Sequence, residues 1–266
     1  MTAIVGINCQ DGIVIGSDSS ATFSHGSTFR TIEQKTKKVE IISGKIILAG
    51  TGEVGLNQRF AEVLLRFWAD KKHENKSAIE IGRDLASNGI SDFTKTQVKE
   101  GQYGALVAFS HKGKLHLCEF SAQNFHPEFK TDKMWFVSMG SGQPITDPFL
   151  GLMRRVFWGD EPPRLNEAIF AVAWTLRHVI ELNPGGINGP QQIAVLEAKS
   201  MNAHLLQDDE LAEHIEYAEG AEKHLASYRE ILRDTKAITI PSLPAFPTSS
   251  PVSAAETEGT APPRPA

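Results

Sequence analysis

Thr2, in Met1-Thr2-Ala3-Ile4-Val5-Gly6, is the first residue with chemical promise. It is small enough for routine removal of the initiator Met, which would leave a free α-amine beside its own hydroxyl. A hydroxyl needs a base to become a nucleophile, and an α-amine, with an ordinary pKa of ~7.7–8.0, is a base poised near neutral pH. β-Branching holds the two groups in a fixed relation. Met-Thr is also a common start without catalytic meaning, so the case rests on the rest of the chain. Asp18 ends a β-rich run and Lys38 opens another. Paired near Thr2, they would favour the deprotonated hydroxyl and keep the amine neutral. Read singly, Asp18 is a turn former and Lys38 a solvated edge charge; spacing does not bring them together. Gly50-Thr51-Gly52-Glu53-Val54-Gly55 fits G-x-G-x-x-G between a strand and a helix. A dinucleotide site also needs a βαβ unit and an acid about 20 residues on. The strand here belongs to a hairpin and no such acid follows, so the nucleotide reading is rejected. Glycines at such a junction still present backbone N–H groups to an anion or oxyanion. Ser141, between Gly140 and Gly142, suits hydrogen bonding to a catalytic terminus or a simple turn. The nine histidines show no H-E-x-x-H and no Cys/His ligand spacing, so no metal is expected. His111 and His116 flank a hairpin turn and are expected at the surface. No G-x-S-x-G elbow occurs, so an α/β-hydrolase serine mechanism lacks its anchor.

The elements that must position these residues begin with β-rich runs at 3–9 and 13–17, joined by Gln10-Asp11-Gly12, a hairpin signal. The stretch from Ser19 to Thr36 is too irregular to assign. Val39–Ile42 and Ile46–Ala49 form a second hairpin around Ser43-Gly44-Lys45. Phe60, Val63, Leu64, Phe67 and Trp68 recur at helical spacing, predicting a helix from Val54 to about Lys72. Ser77, with Glu80 at the reciprocal position, caps a second helix reaching about Phe93. Strands follow at Ala105–Ser110, Leu115–Phe120 and Trp135–Ser138, helices at Pro148–Phe157 and Arg164–Leu182, strands at Ile193–Glu197 and Ala203–Leu206. A charged helix runs from Asp208 to Arg233. Antiparallel hairpins with helices in segregated pairs argue an α+β fold whose helices cover stacked sheets. The expected domain spans 1–236. Residues 237–266, rich in Pro with Ser, Thr and Ala, are expected to be a disordered tail.

With 266 residues, 41% hydrophobic and 22% charged, the chain has the composition of a soluble globular protein. A net charge of −5 argues against a general nucleic-acid binder. Cys9 and Cys118 read as buried free thiols in a reducing compartment. No signal peptide is apparent and no apolar stretch approaches the ~20 residues of a membrane span. A cytoplasmic protein without membrane contact is expected.

Taken in order, Thr2-Ala3-Ile4-Val5-Gly6, Asp11-Gly12-Ile13-Val14-Ile15-Gly16-Ser17-Asp18, Ala21-Thr22, Lys37-Lys38-Val39 and Ala49-Gly50-Thr51-Gly52-Glu53-Val54-Gly55 resemble proteasome β-type subunits and HslV-like peptidases. Gly140-Ser141-Gly142 is similar to a later motif of that family. The resemblance implies a four-layer αββα sandwich, the N-terminal nucleophile (Ntn) hydrolase fold. It implies Thr2 as nucleophile with its amine as general base, Lys38 tuning it, Asp18 holding Lys38, the Gly52 N–H as oxyanion hole, and Ser141 supporting the amine. Ala21 and Thr22 would pair with substrate backbone. Gly50 would floor a roomy specificity pocket, with Glu40 and Gln58 favouring basic or large polar residues. The implied function is a threonine endopeptidase without cofactor, acting on peptide or unfolded protein inside a homo-oligomeric ring; an ATPase unfoldase partner is open. The chain departs from the family in a longer segment between Asp18 and Lys38. Ser20 stands where a basic residue is usual. No clean match exists to the late bracing Asp and Ser, for which Glu181 or Asn183 are the candidates. The alternatives are a small-amide Ntn amidohydrolase and a catalytically silent structural ring subunit.

Overall fold

The Asp-Gly turn sets the first hairpin. β1 (Ile4–Cys9) and β2 (Gly12–Ser17) pair antiparallel from Ile4↔Ser17 to Cys9↔Gly12. The computed structural model describes residues 1–25, 29–96, 102–182 and 185–233. The segment left unassigned by sequence folds as β3 (Ser20–His25) and β4 (Phe29–Lys35), a two-stranded ribbon with a register shift at Phe23/Ser24. Its Ser, Thr and charged residues lack apolar alternation, so only backbone pairing reveals these strands. β5 (Val39–Ile42) and β6 (Ile46–Gly52) form the second expected hairpin.

α1 (Val54–Ala69) and α2 (Ala78–Phe93) follow, the latter with the expected capping box between Ser77 and Glu80. β7 (Tyr103–His111), β8 (Lys114–Phe120) and the unforeseen short β9 (Pro127–Phe129) complete a five-stranded antiparallel sheet in the order β5-β6-β7-β8-β9. The turn itself is Lys112-Gly113, so His111 is still strand. It is buried rather than at the surface, its Nε2 2.8 Å from the Lys76 carbonyl. β10 (Phe136–Met139) pairs with β1. α3 (Gln143–Met153) begins five residues before the expected Pro148, because Pro144 sits in its first turn, where a missing N–H costs nothing. A π-helical turn, Arg154–Trp158, follows it. α4 (Leu165–Leu182), β11 (Gln192–Glu197), β12 (Ala203–Leu205) and α5 (Asp208–Arg233) match expectation within a residue or two. The order β10-β1-β2-β11-β12 makes a second antiparallel sheet.

The architecture is the α+β four-layer sandwich. Ile4, Ile13, Ile15, Ala194 and Leu196 from one sheet meet Val39, Ile47, Ala49, Leu106 and Leu117 from the other in a shared core. A second core joins α1 and α2 to their sheet around Phe60, whose ring lies 5.0 to 6.4 Å from those of Phe93, Tyr103, Phe120 and Phe125. α4 covers the opposite sheet, where Gly16 leaves room for Val172 and Leu176. Cys9 and Cys118 are buried free thiols. Their burial pushes the Cys9 thiol up to about 12 and Cys118 higher still, so neither is a thiolate near neutral pH. The chain divides into two units, Met1–Glu219 and Gly220–Ala266, and the tail expected from 237 lies outside the described residues. Among the described residues no helix is long and apolar enough to cross a membrane.

Candidate active site

The first hairpin brings the start of the chain to Asp18. With Ile4 opposite Ser17, Ala3 falls opposite Asp18: the Asp18 N–H donates to the Ala3 carbonyl at 3.2 Å and the Ala3 N–H to Asp18 Oδ1 at 2.9 Å. The second carboxylate oxygen accepts from the Ser20 N–H at 3.0 Å. Asp18 is therefore fixed by two backbone donors and fully buried.

Lys38 precedes β5 and reaches the same point. Its Nζ donates to Asp18 Oδ1 at 2.8 Å and Oδ2 at 2.9 Å, to Thr2 Oγ1 at 3.2 Å and to the Met1 carbonyl at 3.0 Å. Its side chain is 8% exposed. Lys35 and Lys37 are exposed, so Lys38 alone of the three enters the cluster. Burial pushes the Lys38 ammonium below the ordinary lysine value, against the pull of Asp18 and Glu33. The cation thus sits against the Thr2 hydroxyl, where it favours the alkoxide over the alcohol.

Ser141 completes the group. The Thr2 N–H donates to Ser141 Oγ at 3.0 Å, and the Gly142 N–H donates to the Thr2 carbonyl at 3.1 Å. Gly140 makes this approach possible: φ is +91° and a Cβ there would lie 2.4 Å from the Thr2 carbonyl oxygen. The same Cβ would lie 3.1 Å from Thr51 Oγ1, which brings the end of β6 beside Thr2. Gly52 closes β6 at φ +110°, with Gln102 O occupying the space a side chain would need. The placement of Thr51 beside Thr2 has no sequence signal of its own. With Met1 attached, the Thr2 nitrogen is an amide and has no lone pair to offer; cleavage of the Met1–Thr2 bond would turn it into an amine at the same position.

Other expected residues stand apart from this group. Ala21 is buried in β3, which leaves the site directly from Ser20. Thr22 pairs with Glu33 in the ribbon, and its side chain lies outside those described. The open floor expected over Gly50 is filled: a Cβ there would lie 2.0 Å from Asn57 Oδ1. Asn57 is held by Glu40, which accepts from its Nδ2 at 2.8 Å, and by the Tyr103 hydroxyl, which donates to its Oδ1 at 2.9 Å. Gln58 is exposed. Glu181 is exposed and paired with Arg177 at 2.7 Å, and Asn183 lies outside the described residues. A hydrogen-bonded chain that sequence reasoning missed adjoins the Gly140–Gly142 turn, where the Thr146 N–H donates to the Gly142 carbonyl at 3.0 Å. The Thr146 hydroxyl donates to Ser138 Oγ at 2.7 Å and Ser138 Oγ to Asp147 Oδ1 at 2.5 Å, at the start of α3. Among the described residues no three His, Cys, Asp or Glu side chains converge as a metal site requires.

A family model described as "Proteasome subunit" matches residues 2–185. Among solved structures, the chain is similar in fold to "Anbu (ancestral beta-subunit) from Yersinia bercovieri", with a TM-score of 0.63 and 15% identity. The match covers 90% of this chain and 100% of that one. No curated protein matches.

Proposed function

Because this chain belongs to the proteasome subunit family, we propose that it is a threonine peptidase whose nucleophile is Thr2 once Met1 is removed. The observation that carries this reading is the buried Lys38 ammonium, bonded to both oxygens of Asp18 and to Thr2 Oγ1. In the reaction, the Thr2 amine takes the Oγ1 proton and the alkoxide attacks the scissile carbonyl carbon. The Gly52 N–H donates to the oxyanion. The protonated amine then gives its proton to the leaving amine, and the C–N bond breaks to leave an ester on Thr2. Water, deprotonated by the same amine, attacks that ester; the acyl C–Oγ1 bond breaks, the amine returns its proton to Oγ1, and the acid leaves with Thr2 restored. Lys38 stabilises the alkoxide, Asp18 holds Lys38, and Ser141 orients the amine. Substrate would lie extended along Ala21 and Thr22. The protein works as a homo-oligomeric ring that encloses the site, on peptide or unfolded chains, with an ATPase unfoldase as a compatible partner.

The test is intact mass with and without a peptide epoxyketone, followed by mapping of any adduct. That warhead closes a ring on a hydroxyl and an amine of one residue. Loss of Met1 with an adduct on Thr2 is expected. Retained Met1, or a free Thr2 that never reacts, would sink the reading and leave the silent structural subunit.

A further inference from the structure

Gln192 is the first residue of β11, and its partner across the ladder in β2 is Ser17, next to Asp18. Its side-chain amide crosses to the segment between β4 and β5. Oε1 accepts from the Lys38 N–H at 2.9 Å and from the Val39 N–H at 3.2 Å. Nε2 donates to the Thr36 carbonyl at 2.7 Å. Two backbone donors and one backbone acceptor fix the amide's orientation, since a flipped amide would set NH₂ against N–H. Residues 36–38 belong to no helix or strand. The Thr36 N–H donates to Ser19 O at 2.8 Å, on the other side of Asp18.

From this we infer that Gln192 is a positioning residue: it holds the Lys38 backbone at a fixed place relative to the strand end that carries Asp18, and so sets Nζ against Thr2 Oγ1. The inference rests on the reading of Thr2 as nucleophile. Lysine is a point charge on a flexible four-carbon stem, so its head group goes where backbone and partner send it. Asp18 comes from one sheet and Lys38 enters the other. Gln192 ties the two together within the span of a single side chain. Its side-chain hydrogen bonds go to Thr36, Lys38 and Val39 rather than to Thr2. Its loss should therefore slow the chemical step and leave binding alone.

The test uses the full chain and a fluorogenic peptide that the wild-type protein cleaves. Gln192→Met keeps the length and removes all three bonds. Gln192→Asn keeps both polar atoms but shortens their reach by one methylene. Misplacing a reacting group by about 1 Å costs on the order of 100-fold, so kcat should fall roughly 10- to 100-fold in the Met variant, with KM within about twofold. The rate of epoxyketone adduct formation on Thr2 should fall in parallel, and the Asn variant should lie between. A residue that only supports the fold would lower the melting midpoint and leave kcat and the adduct rate of the folded protein unchanged; that result overturns the inference. If the Met variant does not fold, the Asn variant decides by the same two rates. If the wild-type protein forms no adduct on Thr2, the peptidase reading falls and this inference with it; a wild-type adduct with unaffected variants overturns the Gln192 role alone.

Discussion

At the residue scale, the site is a buried ion pair aimed at a hydroxyl. Asp18 is fully buried and Lys38 nearly so, so each depends on the other. Removing one partner of such a pair leaves an uncompensated charge and costs about 3–5 kcal/mol. Lys38→Ala should lose peptidase activity and lower unfolding free energy by about that amount. Urea denaturation checks the second part, and an unchanged midpoint would mean the pair is solvated in solution. The pH dependence has a definite sign. The proposed reaction needs a neutral Thr2 amine and a cationic Lys38, so kcat is expected to be bell-shaped. Activity falls on the acid side as the amine, with an ordinary pKa of ~7.7–8.0, gains its proton. It falls on the alkaline side as Lys38 loses its proton, at a pH below the ordinary 10.5 because burial outweighs the pull of Asp18 and Glu33. Activity that stays flat up to pH 10.5 would remove the Lys38 charge from the reaction. Thr2, Asp18, Lys38 and Ser141 were legible in the sequence through their order in a known pattern. Gln192 and Asn57 were not. A glutamine opening a strand and an asparagine in a helix are ordinary choices, and what they bond to is decided across 154 and 46 residues of chain.

At the element scale, turns do the positioning. The β1–β2 hairpin was readable from Asp11-Gly12, and the meeting of Ala3 with Asp18 follows from its register. The Gly140–Gly142 turn was readable as a turn, and its Ser141 as a partner of Thr2 through the family pattern; the need for a glycine at 140, set by β10 pairing with β1, was not. Gly140→Ala would combine a left-handed φ of +91° with a Cβ 2.4 Å from the Thr2 carbonyl. The turn must shift, carrying Ser141 away from the Thr2 nitrogen. A loss of about 100-fold in kcat is expected from such a displacement, measured on folded protein. Full activity would show that the turn yields without moving Ser141. Phe60→Ala makes the contrast. It empties the core that holds α1 and α2 on their sheet, separate from the core between the two sheets. Destabilisation of about 3–5 kcal/mol is expected, with kcat of the folded fraction unchanged. Helices and hairpins of this kind were legible because apolar periodicity and capping residues are local. β3, β4 and β9 were not: the sequences of the first two are largely polar, and Pro127-Glu128-Phe129 is too short to show a period.

At the scale of the whole molecule, the site belongs to neither sheet alone. Thr2, Asp18 and Gln192 come with the β10-β1-β2-β11-β12 sheet, while Lys38 and Gly52 come with the β5-β6-β7-β8-β9 sheet. Their spacing is a property of how the sheets stack, fixed by the shared core of Ile4, Ile15, Ile47 and Leu106. Strand order across such a sandwich is long-range and leaves no mark in local sequence; the fold class and the β1–β2 hairpin were legible, the pairing of β11 with β2 was not. The proposed ring extends the same logic outward. A peptidase that accepts extended backbone along β3 has no means, at the level of one subunit, of refusing a loop on a folded neighbour. Enclosure supplies that refusal by size. A ring should therefore cleave a short fluorogenic peptide and an unfolded casein, and spare a tightly folded, protease-sensitive-when-denatured protein of comparable sequence. Its native mass should be a multiple of the single chain's. A monomer that attacks exposed loops of the folded substrate would show that the site is open and that enclosure is not how this chain is restrained.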